Sequence, residues 1–179
     1  MAHLLISQSY LKDKSVINDN VDFKILTPVI ELVQDKHILP LLGSDLFELI
    51  KTQSTPPTTL TAANQTLLDD YILKAMVHYI LAESVSSFRF RYMNKGILTK
   101  TAENAQPISR EEAKDLYDEN MSNAQFYAGE LKKYITRNQT SFPAYFTSGD
   151  VGETPASATA FDCDIYLPND GTYFSNEEL

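Results

Sequence analysis

Apolar residues recur at three- and four-residue steps along three stretches of this chain and alternate strictly along one. Val29, Ile30, Leu32, Val33 and Ile38 form the first helical face. Thr27-Pro28 opens it, a capping residue followed by a proline tolerated in the first turn, and Pro40 closes it. Leu41-Leu42-Gly43 predicts a tight corner, and Ser44-Asp45 then caps a short helix carrying Leu46, Phe47 and Ile50. From Thr52 to Thr61 the threonines and Pro56-Pro57 predict a loop. A second long helix follows, from near Thr61 to about Ser84, with Leu67, Leu68, Tyr71, Ile72, Ala75, Met76, Tyr79 and Ile80 on one face. Ahead of all these, residues 1–21 mix short apolar and polar pieces, and Leu4-Leu5-Ile6 predicts a short strand.

The period changes at Phe88-Arg89-Phe90-Arg91-Tyr92, which alternates as a strand does. Asn94-Lys95-Gly96 and then Ile97 to Thr101 complete a predicted β-hairpin over 88–101, with Gly96 at the turn. Its aromatics face one way and Arg89 and Arg91 the other. A nucleic-acid stacking platform needs both on one face, so the aromatic side is assigned to the core.

Ser109-Arg110-Glu111-Glu112 is a capping box. It opens a helix of about 28 residues, about 42 Å long at 1.5 Å per residue. Ala113, Leu116, Tyr117, Met121, Ala124, Tyr127, Ala128, Leu131, Tyr134 and Ile135 line its apolar stripe. Acidic residues at its start and Lys132, Lys133 and Arg137 near its end match the helix dipole. Gly129, costing about 1 kcal/mol against alanine inside a helix, suggests a close helix crossing.

After Asn138 the pattern fades. Residues 147–160 are rich in Ser, Thr, Gly, Ala and Asp without periodicity, as in a linker. The acidic stretch from Phe161 to Leu179 still carries Ile165, Tyr166, Leu167, Tyr173 and Phe174, which suits a docking segment; a strand packed back on its own domain is the alternative. The organisation is therefore a helical domain over 1–146 and an extended acidic tail over 147–179. The fold class is mainly α: a small bundle with one long C-terminal helix and a projecting hairpin.

Composition narrows the function. The net charge of −9 opposes nucleic-acid binding by bulk electrostatics, though not a protein that DNA slides past. No apolar run reaches the roughly 20 residues of a membrane span, and the N-terminus has no secretory pattern, so folding in a cytoplasm is expected. Cys163 is the only cysteine, which excludes an internal disulfide and a cysteine-built metal site. The three histidines, His3, His37 and His78, form no metal-binding pair at helical spacing. No glycine-rich phosphate loop is present. Asp69-Asp70 and Glu111-Glu112 are neighbours on helices, point about 100° apart and share no site. No catalytic, metal or cofactor site is expected, and the chain is read as non-enzymatic.

Thr27-Pro28-Val29-Ile30, the run from Gln34 through Pro40-Leu41-Leu42-Gly43 to Phe47, Asn94-Lys95-Gly96, the capping box, and Phe142-Pro143-x-Tyr145 together form a set spanning about residues 22–146. This set resembles the head-to-tail connector (adaptor) proteins of tailed bacteriophages, of the type found in phages of Bacteroidetes, including the crAss-like group. The resemblance implies a virion protein, assembled in the host cytoplasm. It would act as one copy of a homo-oligomeric ring, commonly of twelve, docked on the portal and on neighbouring tail proteins, with DNA only as passing cargo. It carries over no catalytic residues and no cofactor. Candidate protein-interface residues are Asn94, Lys95, Gly96 and Ile97 at the hairpin tip, Phe142 and Tyr145, and Ile165, Tyr166, Leu167, Tyr173 and Phe174 in the tail. The rival reading is a helical regulatory or scaffolding protein that binds a partner without forming a ring; a small enzyme ranks last.

Overall fold

The computed structural model describes residues 4–18, 20–93, 96–99 and 108–147. It is mainly helical. Leu4-Leu5-Ile6, expected as a strand, forms no ladder. Instead Leu5 and Ile6 are buried, and the Leu5 N–H donates to the side-chain oxygen of buried Gln34 at 2.8 Å. A side chain thus takes the place of a strand partner for this backbone donor. Helix α1 (Gln8–Lys14) follows, capped by Ser7, which accepts from the Tyr10 N–H, and anchored by buried Leu11.

Helix α2 (Phe23–Val33) begins four residues before the expected Thr27-Pro28 start, because Asp22 is its cap and accepts from the Lys24 N–H. Pro28 therefore sits inside the helix, where it forfeits one backbone bond. Burial of Leu26, Val29, Ile30 and Val33 holds the helix through that gap, at about 1.5–3 kcal/mol for each fully buried large apolar side chain. Leu32, assigned to the same face, is 47% exposed.

Pro40 does not end this helix either. A π-helical turn over Gln34–Ile38 widens the ladder, with the Leu39 N–H bonding back to the Gln34 carbonyl, and α3 (Leu39–Leu42) continues with Pro40 in its first turn. A proline is tolerated where the regular ladder is already opened. The corner comes at Gly43, whose φ of 72° is the left-handed region a side chain disfavours. Helix α4 (Ser44–Gln53) leaves directly from it and buries Leu46, Phe47 and Ile50.

The second long helix starts as expected at a Thr61 cap. It runs as α5 (Ala62–Leu67), a π turn (Leu68–Ile72) and α6 (Leu73–Arg89). The side-chain amide of buried Asn64 ties it to α4 by donating to the side-chain oxygen Oε1 of Gln53 at 2.8 Å. It outlasts the predicted end at Ser84 and takes in Phe88 and Arg89, because Leu81, Val85 and Phe88 continue the helical spacing through the start of the alternating run. Strands β1 (Phe90–Met93) and β2 (Gly96–Thr99) then pair antiparallel, Phe90 opposite Thr99 and Met93 opposite Gly96. Asn94, Lys95, Lys100 and Thr101 lie outside the described residues.

Helix α7 (Arg110–Arg137) has the predicted bounds, and both halves of its capping box form. Glu112 N–H donates to the Ser109 hydroxyl at 3.1 Å and Ser109 N–H to the Glu112 carboxylate at 2.7 Å. It packs antiparallel along the second long helix, with Tyr71 stacked on Tyr134 and His78 on Tyr127. Buried alanines on both helices, Ala75 and Ala82 against Ala113, Ala124 and Ala128, suit a close approach. Gly129 takes no part in it: a Cβ there would meet nothing within 4 Å. A 3-10 turn (Gln139–Ser141) and α8 (Pro143–Thr147) finish the described chain, with α8 against α4.

Candidate interaction surface

Phe142 and Tyr145, expected at an interface, belong to the core. Phe142 is 1% exposed and lies 5.8 Å from Tyr134, centroid to centroid. Tyr145 is buried enough that its hydroxyl pKa is pushed up to about 12. The Phe-Pro-x-Tyr pattern closes the bundle where α8 turns back on α4. Gly96 and Ile97 lie in β2. Asn94 and Lys95, and the tail residues Ile165, Tyr166, Leu167, Tyr173 and Phe174, lie outside the described residues.

The titratable side chains that do meet are structural. One oxygen of Glu83 accepts from Lys36 at 2.7 Å and from His37 at 2.9 Å, and the His37 ring stacks on Tyr79 at 4.2 Å. Burial alone would raise the Glu83 pKa; the hydrogen bonds from Lys36 and His37 outweigh it and hold the carboxyl below its ordinary range. This braces the π turn after α2 against α6. His78 Nδ1 is buried without a partner while its ring stacks on Tyr127 at 5.4 Å. Among the described residues no group of three His, Cys, Asp or Glu could hold a metal ion. Among the same residues no helix is long and apolar enough to cross a membrane.

Two features of the described surface face solvent. The first is the outer side of α7, where Phe126 is 63% exposed. Leu116, assigned to the buried stripe, is 45% exposed and lines the cleft described next. Glu119, Phe126 and Lys133 follow one another at seven-residue steps, close to two helical turns, so an acid, an aromatic ring and a base lie along one strip. Sequence reasoning passed over Phe126, and its position was the available signal: a large aromatic off the apolar stripe of a long amphipathic helix.

The second feature is a half-open cleft of about 390 Å³ at the end of the bundle where α6 stops and α7 starts. Val16, Ile17 and Val21 from the α1–α2 connection, Leu81, Val85 and Phe88 from α6, and Ile108 and Leu116 give it apolar walls. Asn18, Ser84 and Asn120 are its polar members, and among the described residues no charged side chain lines it.

Residues 38–155 match the model of a family of unknown function, DUF6712. The chain belongs to that family. The match opens in the π turn, covers everything from α3 to α8 and passes into the first residues of the tail, so it includes the outer face of α7 and the α6–α7 side of the cleft. The α1–α2 connection, which supplies the cleft's other wall, precedes it. No curated protein and no solved structure matches the chain.

Proposed function

We propose that this chain is a structural virion protein, a head-to-tail connector subunit that docks on a phage portal as one copy of a ring and lines the DNA channel. The observation that carries this reading is the outer strip of α7. A 63% exposed phenylalanine between opposite charges, on a rigid helix capped at its start, is a surface suited to another protein. Exposed aromatics of this kind supply binding energy once desolvated. The net charge of −9 suits a channel wall that must not grip DNA. The resemblance in residues 22–146 supplies the class of partner. In this reading the β1–β2 hairpin projects toward a neighbouring subunit or the portal, the free chain is monomeric or weakly associating, and repeated head-to-tail contacts close the ring on a preformed template. The proposed role needs no catalytic group and no cofactor.

Mass measurement of the purified chain, alone and with the portal protein of the same phage, tests this. The expected result is a small species alone and a ring-sized increment on the portal. A chain that leaves the portal unchanged, yet binds a different protein one-to-one, would replace the connector with a non-ring regulatory or scaffolding protein.

A further inference from the structure

We infer that the cleft between the end of α6 and the start of α7 is the docking site for the chain's own tail, occupied by Ile165-Tyr166-Leu167. The cleft selects for an apolar, uncharged occupant. Its described walls are Val16, Ile17, Leu81, Val85, Phe88 and Leu116, and a charged side chain there would lose water and meet no counter-charge among these residues. Its volume of about 390 Å³ falls in the range of sites that enclose several side chains or a small ligand.

Chain segments outside the described residues can be sorted by whether they meet that demand. Residues 100–107, which lead directly into Ile108, read Lys-Thr-Ala-Glu-Asn-Ala-Gln-Pro and contain no large apolar side chain. The tail contains Ile165-Tyr166-Leu167, uninterrupted by charge and preceded by Asp162 and Asp164, which would stay in water at the mouth. Tyr166 brings a hydroxyl that the polar members Asn18, Ser84 or Asn120 could satisfy.

Chain length permits the docking. The last described residue, Thr147, ends α8 near the C-terminal end of α7, and the cleft extends along α7 as far as Asn120. From Asn120 to Asn138 is about 27 Å of helix at 1.5 Å per residue. The stretch from Thr147 to Ile165 reaches at most about 60 Å when extended. A segment tethered within reach of a site acts at high effective concentration, which favours the same chain over a second copy.

Cys163, the only cysteine, stands two positions before Ile165 and provides the test. In the full-length protein, Val16→Cys adds a second thiol at a 90% exposed position on the rim of the cleft, and Lys133→Cys adds one at the far, exposed end of α7. A short bifunctional maleimide should link Cys163 within the chain at least tenfold faster in the Val16→Cys variant than in the Lys133→Cys variant. A tail without a docking site gives the opposite order, because Lys133 lies nearer the tail's origin. Adding Ile165→Asp and Leu167→Asp should reverse the order, as for an undocked tail. Equal rates, the reverse order, or links that join two chains instead of closing within one would overturn the inference.

Discussion

Lys36 donates to Glu83 at 2.7 Å across 47 positions of sequence, and His37 shares the same carboxylate oxygen. The Glu83 side chain is only 13% exposed, so this bond is better shielded than the Lys51–Glu48, Lys74–Asp70 and Lys133–Glu130 pairs, which lie on the surface between residues three or four apart. Its pH dependence has a definite sign. A carboxyl whose folded pKa is depressed contributes stability above its unfolded pKa, here near 4.5, and that contribution is lost as pH falls through the folded value. Urea midpoints should therefore show a Glu83-dependent loss as pH falls below about 4.5. Glu83→Gln should cost about 1.5–3 kcal/mol at pH 7, as expected for hydrogen bonds to a charged group. Its stability should fall less steeply in acid than the wild type's. Parallel acid limbs for the two proteins would show that Glu83 is not the group responsible.

Gly129 tests the packing of α7 from the opposite direction. A mid-helix glycine costs about 1 kcal/mol relative to alanine unless a neighbour needs the space, and nothing lies within 4 Å of where its Cβ would be. Gly129→Ala should stabilise the protein by about 0.5–1 kcal/mol, raising the melting temperature by about 1–4 °C in a chain of this size. A drop in melting temperature would mean that another surface closes on this point of the helix.

The elements whose ends are set by local chemistry were legible in the sequence. The capping box at Ser109 and Glu112 fixes the start of α7 because both of its hydrogen bonds lie within four residues. Thr61 does the same for α5. The two prolines misled for a shared reason: Pro28 marks a helix start, and Pro40 a stop, only if the backbone must keep a regular ladder and nothing else stabilises it. Burial of Leu26, Val29 and Ile30 overrides the first, and the π turn before Leu39 removes the second constraint. Neither depends on nearby sequence alone. The same limit explains Phe142, expected at an interface: only the return of α8 onto α4 makes it interior, whereas the exposure of Phe126 was readable from its place off the apolar stripe.

The interior place of Phe142 is open to measurement. Phe142→Ala removes a 1% exposed ring from the junction of α7 and α8 and should cost about 3–5 kcal/mol by transfer and cavity terms. Loss of assembly in that variant should follow its loss of folding, visible as a lowered denaturation midpoint in the isolated chain. An unchanged midpoint would return Phe142 to the surface.

Phe126→Ser is the complementary variant and separates contact from folding. Truncating a 63% exposed ring gives up only part of a side chain's burial energy, and substitutions at such surface positions usually change stability by no more than about 0.5 kcal/mol. If the Glu119–Phe126–Lys133 strip is where a neighbour or the portal sits, the same change should weaken attachment by tenfold or more, because an aromatic anchor desolvated in an interface carries about 2 kcal/mol or more. The paired substitution Lys95→Asp with Ile97→Asp probes the hairpin in the same way and should also spare the melting temperature of the helical body. Quantitative pull-down on portal rings, with melting curves on the same preparations, reads both effects. Attachment at wild-type strength in the Phe126→Ser variant would remove α7 from the interface, and if the hairpin variant also bound normally, the connector assignment would lose both of its proposed contacts.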